Sequence, residues 1–155
     1  MGRTDRAAGR GSKVLEVRFL NTDSSGEVEV LRSIPGITVT PCDRTFGVVF
    51  CMTEEQKQEA ALYYQSRFET AVTEAVESNY DLLILDEILA SCNYGMVNEQ
   101  SVTEFLKNRP ENLEVVLTGR DPSEALLELA DYVSEICMRK HPYQKGIPAR
   151  KGIEF

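Results

Sequence analysis

The chain has 155 residues, 42% of them hydrophobic and 27% charged, with a formal net charge of −8. That length suits one domain with a real core, and the acid excess argues against a nucleic-acid binder, which needs a basic surface to displace counterions. No apolar run approaches the roughly 20 residues of a membrane span, and the opening MGRTDRAAGRG lacks the apolar stretch of a secretory signal. The expectation is a cytoplasmic protein with neither nucleic acid nor membrane as partner.

In chain order, residues 6–11 (RAAGRG) read as the tail of a helix closed by Gly9 or Gly11. Residues 13–20 (KVLEVRFL) alternate and predict a strand. Residues 25–34 predict a short helix ended by Pro35-Gly36, and 37–40 (ITVT) and 46–50 (FGVVF) predict short strands. Thr53 and Gln56 form a capping box that opens the longest helix, near 53–78. Glu54 and Glu55 suit its positive end. Tyr64, Phe68, Ala71, Val72, Ala75 and Val76 give that helix one apolar face. A strand follows at 81–86, and a helix near 98–108 ends before Pro110. Residues 113–118 (LEVVLT) read as a strand buried on both faces. A helix at 122–131 and a strand at 132–138 complete the pattern. The alternation predicts the α/β class, a mostly parallel sheet flanked by helices, in a single domain over 1–155. Ligands of such sheets sit at the carboxyl ends of the strands, where Asp86, Glu87, Thr118, Gly119 and Arg120 fall.

The most informative segment is Leu82-Leu83-Ile84-Leu85-Asp86-Glu87, an apolar run ending in two acids, as in a Walker-B strand. Paired acids there can hold Mg²⁺ directly or through water; acids favoured by a helix dipole are the alternative. Arg120 can fork onto phosphate oxygens, although spacing alone favours a surface arginine after a tight turn. Arg139, Lys140, His141, Lys145, Arg150 and Lys151 form a basic cluster able to draw in a polyanion such as triphosphate. The other reading is a solvated tail, against which Pro142, Tyr143, Ile147, Pro148, Ile153 and Phe155 offer apolar anchors. Phe46, Val48 and Phe50 either line a pocket for a large flat ligand or form the inward face of a strand. Cys42, Cys51, Cys92 and Cys137 are widely spaced and His141 is the single histidine, so they read as free, mostly buried thiols rather than a zinc site. The phosphate-cradling G-x-x-x-x-G-K-[ST] loop is absent from the sequence.

Six strings together resemble the P-loop type of ATP:corrinoid adenosyltransferase. They are RAAGRGSKVLEVRFL, SSGEVEVL, FGVVFCMTEE, YDLLILDEILASCNYG, VVLTGRDPSEALLELADYVSE and KHPYQKGIPARKGIEF, spanning nearly all of residues 6–155. The resemblance implies a P-loop NTPase-like (RecA-like) sheet and transfer of the 5′-deoxyadenosyl group of ATP to the Co(I) centre of a corrinoid, with release of triphosphate. The corrinoid cobalt is itself the nucleophile, so no catalytic nucleophile is expected from the chain. The resemblance also implies Mg²⁺ with the ATP, an electron donor such as a flavodoxin, a homodimer, and a role in adenosylcobalamin biosynthesis or salvage. By motif, Glu87 matches the metal-binding acid with Asp86 beside it, Arg120 matches an element near the phosphates, and Phe50 keeps one of two corrinoid-facing aromatics.

Three departures accompany it. Val48 stands where the family has its first aromatic, and Arg18-Phe19-Leu20-Asn21 replaces the usual Q-F-L-K. The family also opens with a strand, a G-x-G-K-G-K-T loop and a helix, whereas this chain begins inside that helix. The expectations are a first strand and P-loop missing from the sheet, poor stability, and weak or absent activity. A non-catalytic corrinoid-binding protein that has lost its ATP loop is the alternative reading.

Overall fold

The computed structural model describes residues 2–20, 26–40, 42–44, 46–47 and 49–153, with Phe50 described by its backbone alone. Strands β1 (Val14–Arg18), β2 (Ile37–Thr40), β3 (Leu82–Asp86) and β4 (Glu114–Leu117) form one sheet in the order β2-β1-β3-β4. All pairings are parallel, with Arg18 opposite Asp86 and Leu85 opposite Leu117. Helices α1 (Gly2–Ala8), α2 (Gly26–Ser33), α3 (Glu54–Glu77), α4 (Ile88–Asn93), α5 (Glu99–Asn108) and α6 (Glu124–Leu129) supply the crossovers and cover. This is the α/β architecture the sequence predicts.

Strand side chains alternate between faces, and two cores follow from that period. Leu15, Val17, Leu83 and Leu85 join Ala60, Tyr64, Phe68, Ala71 and Ala75 of α3 and Ile88 of α4 on one face. Val14, Ile37, Val39, Leu82 and Ile84 pack with Val28 and Leu31 of α2 on the other. The Thr53–Gln56 capping box forms as read, with reciprocal bonds of 2.9 and 3.2 Å. None of the described helices is long and apolar enough to cross a membrane.

Four expectations need correction. The described residues of 46–50 form no strand: Phe46 packs its ring on Tyr63 and Tyr64, at 5.6 and 5.8 Å, and Val49–Cys51 is a single 3-10 turn. Residues 132–138 form no strand, and everything from Ala130 to Ile153 is exposed. The segment is rich in apolar residues, among them Tyr132, Val133 and Ile136, but a strand also needs a hydrogen-bonded neighbour, and this segment pairs with no strand of the sheet. The intended anchors of the basic tail are likewise exposed, Tyr143 at 79% and Ile153 at 70%; Phe155 lies outside the described residues. The thiols are free as expected, yet only Cys42 is buried, while Cys51 and Cys137 are exposed. Helix α4 was not anticipated, since six residues are too few to show a helical period.

Candidate functional site

The carboxyl ends of β1, β3 and β4 converge on one charged cluster. Arg18 and Asp86 are register partners on adjacent strands, which puts the guanidinium Nε 3.6 Å from Asp86 Oδ2. The same Arg18 reaches Glu27 of α2 at 3.1 Å. Thr118, just past β4, donates its hydroxyl to Asp86 Oδ1 at 2.7 Å. That hydroxyl also accepts the Glu87 backbone N–H at 2.9 Å. Asp86 is therefore engaged at both oxygens, and its neighbour Glu87 makes no side-chain bond to the helix it precedes.

Glu87 sits at φ 62°, ψ 20°, a left-handed conformation uncommon for a residue with a side chain. Burial, and then the Asp86 charge, push its carboxyl above the ordinary carboxylate range, while Arg120 pulls the other way. The structure thus brings Glu87 within electrostatic reach of Arg120. The loop carrying Arg120 is pinned from α4, where Asn93 Nδ2 donates to the carbonyls of Arg120 and Asp121 at 3.0 Å each. Gly119 makes that approach possible: a Cβ there would lie 2.8 Å from Leu89 Cβ, at a φ of +135°.

On the α1 side of the sheet the cluster opens into a cleft of about 470 Å³, lined among others by Arg3, Thr4, Glu16, Arg18, Asp86 and Thr118. Glu16 is nearly buried there, and burial followed by the Asp86 charge raises its pKa, with Arg18 and the Thr4 hydroxyl opposing. The basic residues of 139–151 do not join that lining. Nor does the cleft contain Phe46, which belongs to a separate aromatic group with Tyr63 and Tyr64.

That group anchors the loop after β2. Tyr63 donates its hydroxyl to Asp43 Oδ1 at 2.7 Å, which holds Asp43 below its usual pKa. Burial and this bond together raise the Tyr63 pKa. Arg67 closes the ends of β1 and β2, donating to the carbonyls of Arg18 and Thr40 at 2.9 Å each. Val48 and the side chain of Phe50, the expected corrinoid-facing aromatic, lie outside the described residues.

Sequence reasoning placed Asp86, Glu87 and Arg120 at strand ends and missed Arg18, Glu16 and Arg67. A signal existed for two of them: Glu16 and Arg18 are charges two residues apart in an otherwise apolar strand, hence on one face. Among the described residues no three His, Cys, Asp or Glu side chains gather as a metal cluster.

Comparison with known proteins adds an independent line. A sequence model of the family described as ATP:corrinoid adenosyltransferase BtuR/CobO/CobP matches residues 1–155. The corrinoid adenosyltransferase of Pseudomonas aeruginosa is 29% identical over 155 residues, taking in 99% of this chain and 75% of that protein. That of Escherichia coli K12 is 29% identical over 158 residues, covering 99% of this chain and 76% of its own length. A Sinorhizobium corrinoid adenosyltransferase is 33% identical over 112 residues, 72% of this chain and 52% of the relative.

Proposed function

Because this chain belongs to the ATP:corrinoid adenosyltransferase family, we propose that it transfers the 5′-deoxyadenosyl group of ATP to the Co(I) centre of a corrinoid, releasing triphosphate, in adenosylcobalamin biosynthesis or salvage. The family is one of transferases, and the observation that carries the reading is the match over the whole of residues 1–155. In the reaction a cobalt–carbon bond forms at C5′ and the C5′–O bond breaks. Its electron pair leaves on the triphosphate, and Co(I) is oxidised to Co(III). The chain need supply no nucleophile; it positions the reactants and stabilises the leaving charge.

Glu87 is the acid at the strand end that the local hydrogen bonds leave uncommitted. One such carboxylate fits Mg²⁺, which binds proteins through one or two carboxylates and completes its shell with substrate phosphates and water. Glu87 would hold that ion, with Asp86 beside it, and the ion would neutralise charge on the triphosphate. Arg120, within electrostatic reach of Glu87, takes the phosphate-binding role. Phe50 takes the corrinoid-facing role. An electron donor such as a flavodoxin, a homodimer and a cytoplasmic location complete the proposal.

The test is an anaerobic absorbance assay with chemically reduced Co(I) cobalamin and Mg-ATP. Adenosylcobalamin that accumulates only with both ATP and protein is the expected result. Cobalamin that binds without forming the cobalt–carbon bond would overturn the enzymatic reading and leave a corrinoid-binding protein.

A further inference from the structure

Thr118 is tied wholly to the stretch that carries the two acids. Its N–H donates to the Leu85 carbonyl at 3.2 Å, and its carbonyl accepts the Leu89 N–H at 3.2 Å. Its hydroxyl accepts the Glu87 N–H at 2.9 Å and donates to Asp86 Oδ1 at 2.7 Å. Backbone and side chain alike are engaged within residues 85–89.

The residue at the centre of that grip is the strained one. A glutamate at φ 62° crowds its Cβ against the backbone, and such conformations persist only where the surroundings over-determine them. On the helix side, Ser91 supplies two more restraints, its N–H and its hydroxyl both donating to the Glu87 carbonyl at 3.2 Å. The strain has a structural consequence. A Ser, Thr, Asp or Asn that caps a helix has extended backbone and folds its short side chain onto the first helical amides. Asn98 and Ser123 do this for α5 and α6. Glu87, turned left-handed, makes no such bond. Its carboxylate is kept from capping α4, while Asp86 is held by Thr118 and Arg18.

We propose that Thr118 is a positioning residue: its hydroxyl, bridging the Glu87 N–H and the Asp86 carboxylate, fixes the left-handed turn that leaves the Glu87 carboxylate available to a nucleotide-bound cation. The proposal rests on the metal role given to Glu87 above. It assigns the two neighbouring acids different work, with Asp86 as part of the frame and Glu87 as the ligand.

Two variants test it. Thr118→Val removes the hydroxyl at nearly constant shape, and Thr118→Ser keeps it. The first readout is the exchange rate of the Glu87 amide by NMR, expected to rise at least about tenfold in Thr118→Val and to stay near the parent value in Thr118→Ser. The second is Mn²⁺ uptake in the presence of ATP, followed by electron paramagnetic resonance. Its Kd is expected to rise by about 10–100-fold in Thr118→Val, the usual cost of losing an outer-shell partner, with recovery in Thr118→Ser. Unchanged amide exchange in Thr118→Val overturns the proposal. So does faster exchange with unchanged Mn²⁺ affinity, or a serine variant as impaired as the valine one. If the parent itself takes up no Mn²⁺ with ATP, the metal role of Glu87 fails. The amide exchange alone then decides whether the hydroxyl holds the turn.

Discussion

Leu85 and Leu117 are register partners near the ends of β3 and β4, yet Leu85 is fully buried and Leu117 only partly. The same contrast divides the molecule. β1 and β3 each have a strand on both sides, and all five residues of β1 are buried, charges included. β4 has β3 on one side and, among the described residues, no strand on the other. Its sequence does not anticipate an edge. Val115 and Leu117 face one core and Val116 the other, with no charge beyond Glu114 to guard the open backbone. After α6, residues 130–153 run exposed throughout, Ile136 at 98%. An apolar period fixes which side chains share a face; whether that face is buried depends on a neighbour that the period cannot supply.

Hydrogen exchange should show the widest gap. Amides of β1 and β3 are expected to exchange only through global unfolding, and those of 131–138 at nearly the rate of free chain. The difference is about 5 kcal/mol or more of opening free energy, the stability of an ordinary domain. Protection across 131–138 equal to that of β3 would erase the contrast in solution. Next in size is truncation of the core. Phe68 is 2% exposed and packs edge-on to Phe105 at 6.2 Å, so Phe68→Ala should cost about 3–5 kcal/mol in urea unfolding. Ile136→Ala, on the open side, should stay within about 0.5 kcal/mol. Similar costs at the two positions would mean that Ile136 is packed after all.

How legible each side was in the sequence follows the same division. α3 could be read from a capping box and a helical face, both local, and β3 from a continuous apolar run. The strand expected at 132–138 failed because pairing is not local. The described part of 46–50 differs from the expected strand because Phe46 packs on the Tyr63 and Tyr64 rings of α3 rather than along a strand edge. At the site, Asp86, Glu87 and Arg120 were visible as residue types at a strand end. The division of labour between the two acids was not, because glutamate carries no sequence signal for a left-handed backbone and Thr118 looks like any strand-end threonine. Arg18 was legible only as a charge inside an apolar strand, its pairing with Asp86 being set by register.

Gly119 lies where the two sides meet. Alanine there would place a Cβ 2.8 Å from Leu89 Cβ and 3.1 Å from the Ala90 nitrogen, at a φ that side chains avoid. Gly119→Ala should therefore cost about 1–3 kcal/mol in thermal or urea unfolding and loosen the Arg120 loop from α4. A neutral result would show that the loop after β4 shifts freely, and would extend the open region to the site itself.

The smallest expected effect is the most diagnostic of the closed side. Glu16 lies nearly buried on β1, and burial and the Asp86 charge raise its pKa above the ordinary 4.5. The folded state therefore keeps this proton to higher pH than the unfolded chain does. Between the two pKa values the native state binds more protons, so stability falls as pH rises through that window and levels off above it. Glu16→Gln removes the ionisation. Its urea midpoint should gain on the parent as pH rises through the window above 4.5, and the gap between the two curves should narrow below it. A gap that stays constant with pH would show that Arg18, held between Glu27 and Asp86, already offsets the charge. The cluster would then act as a balanced ionic network, and the carboxylates at the strand ends could be ionised together without loss of stability.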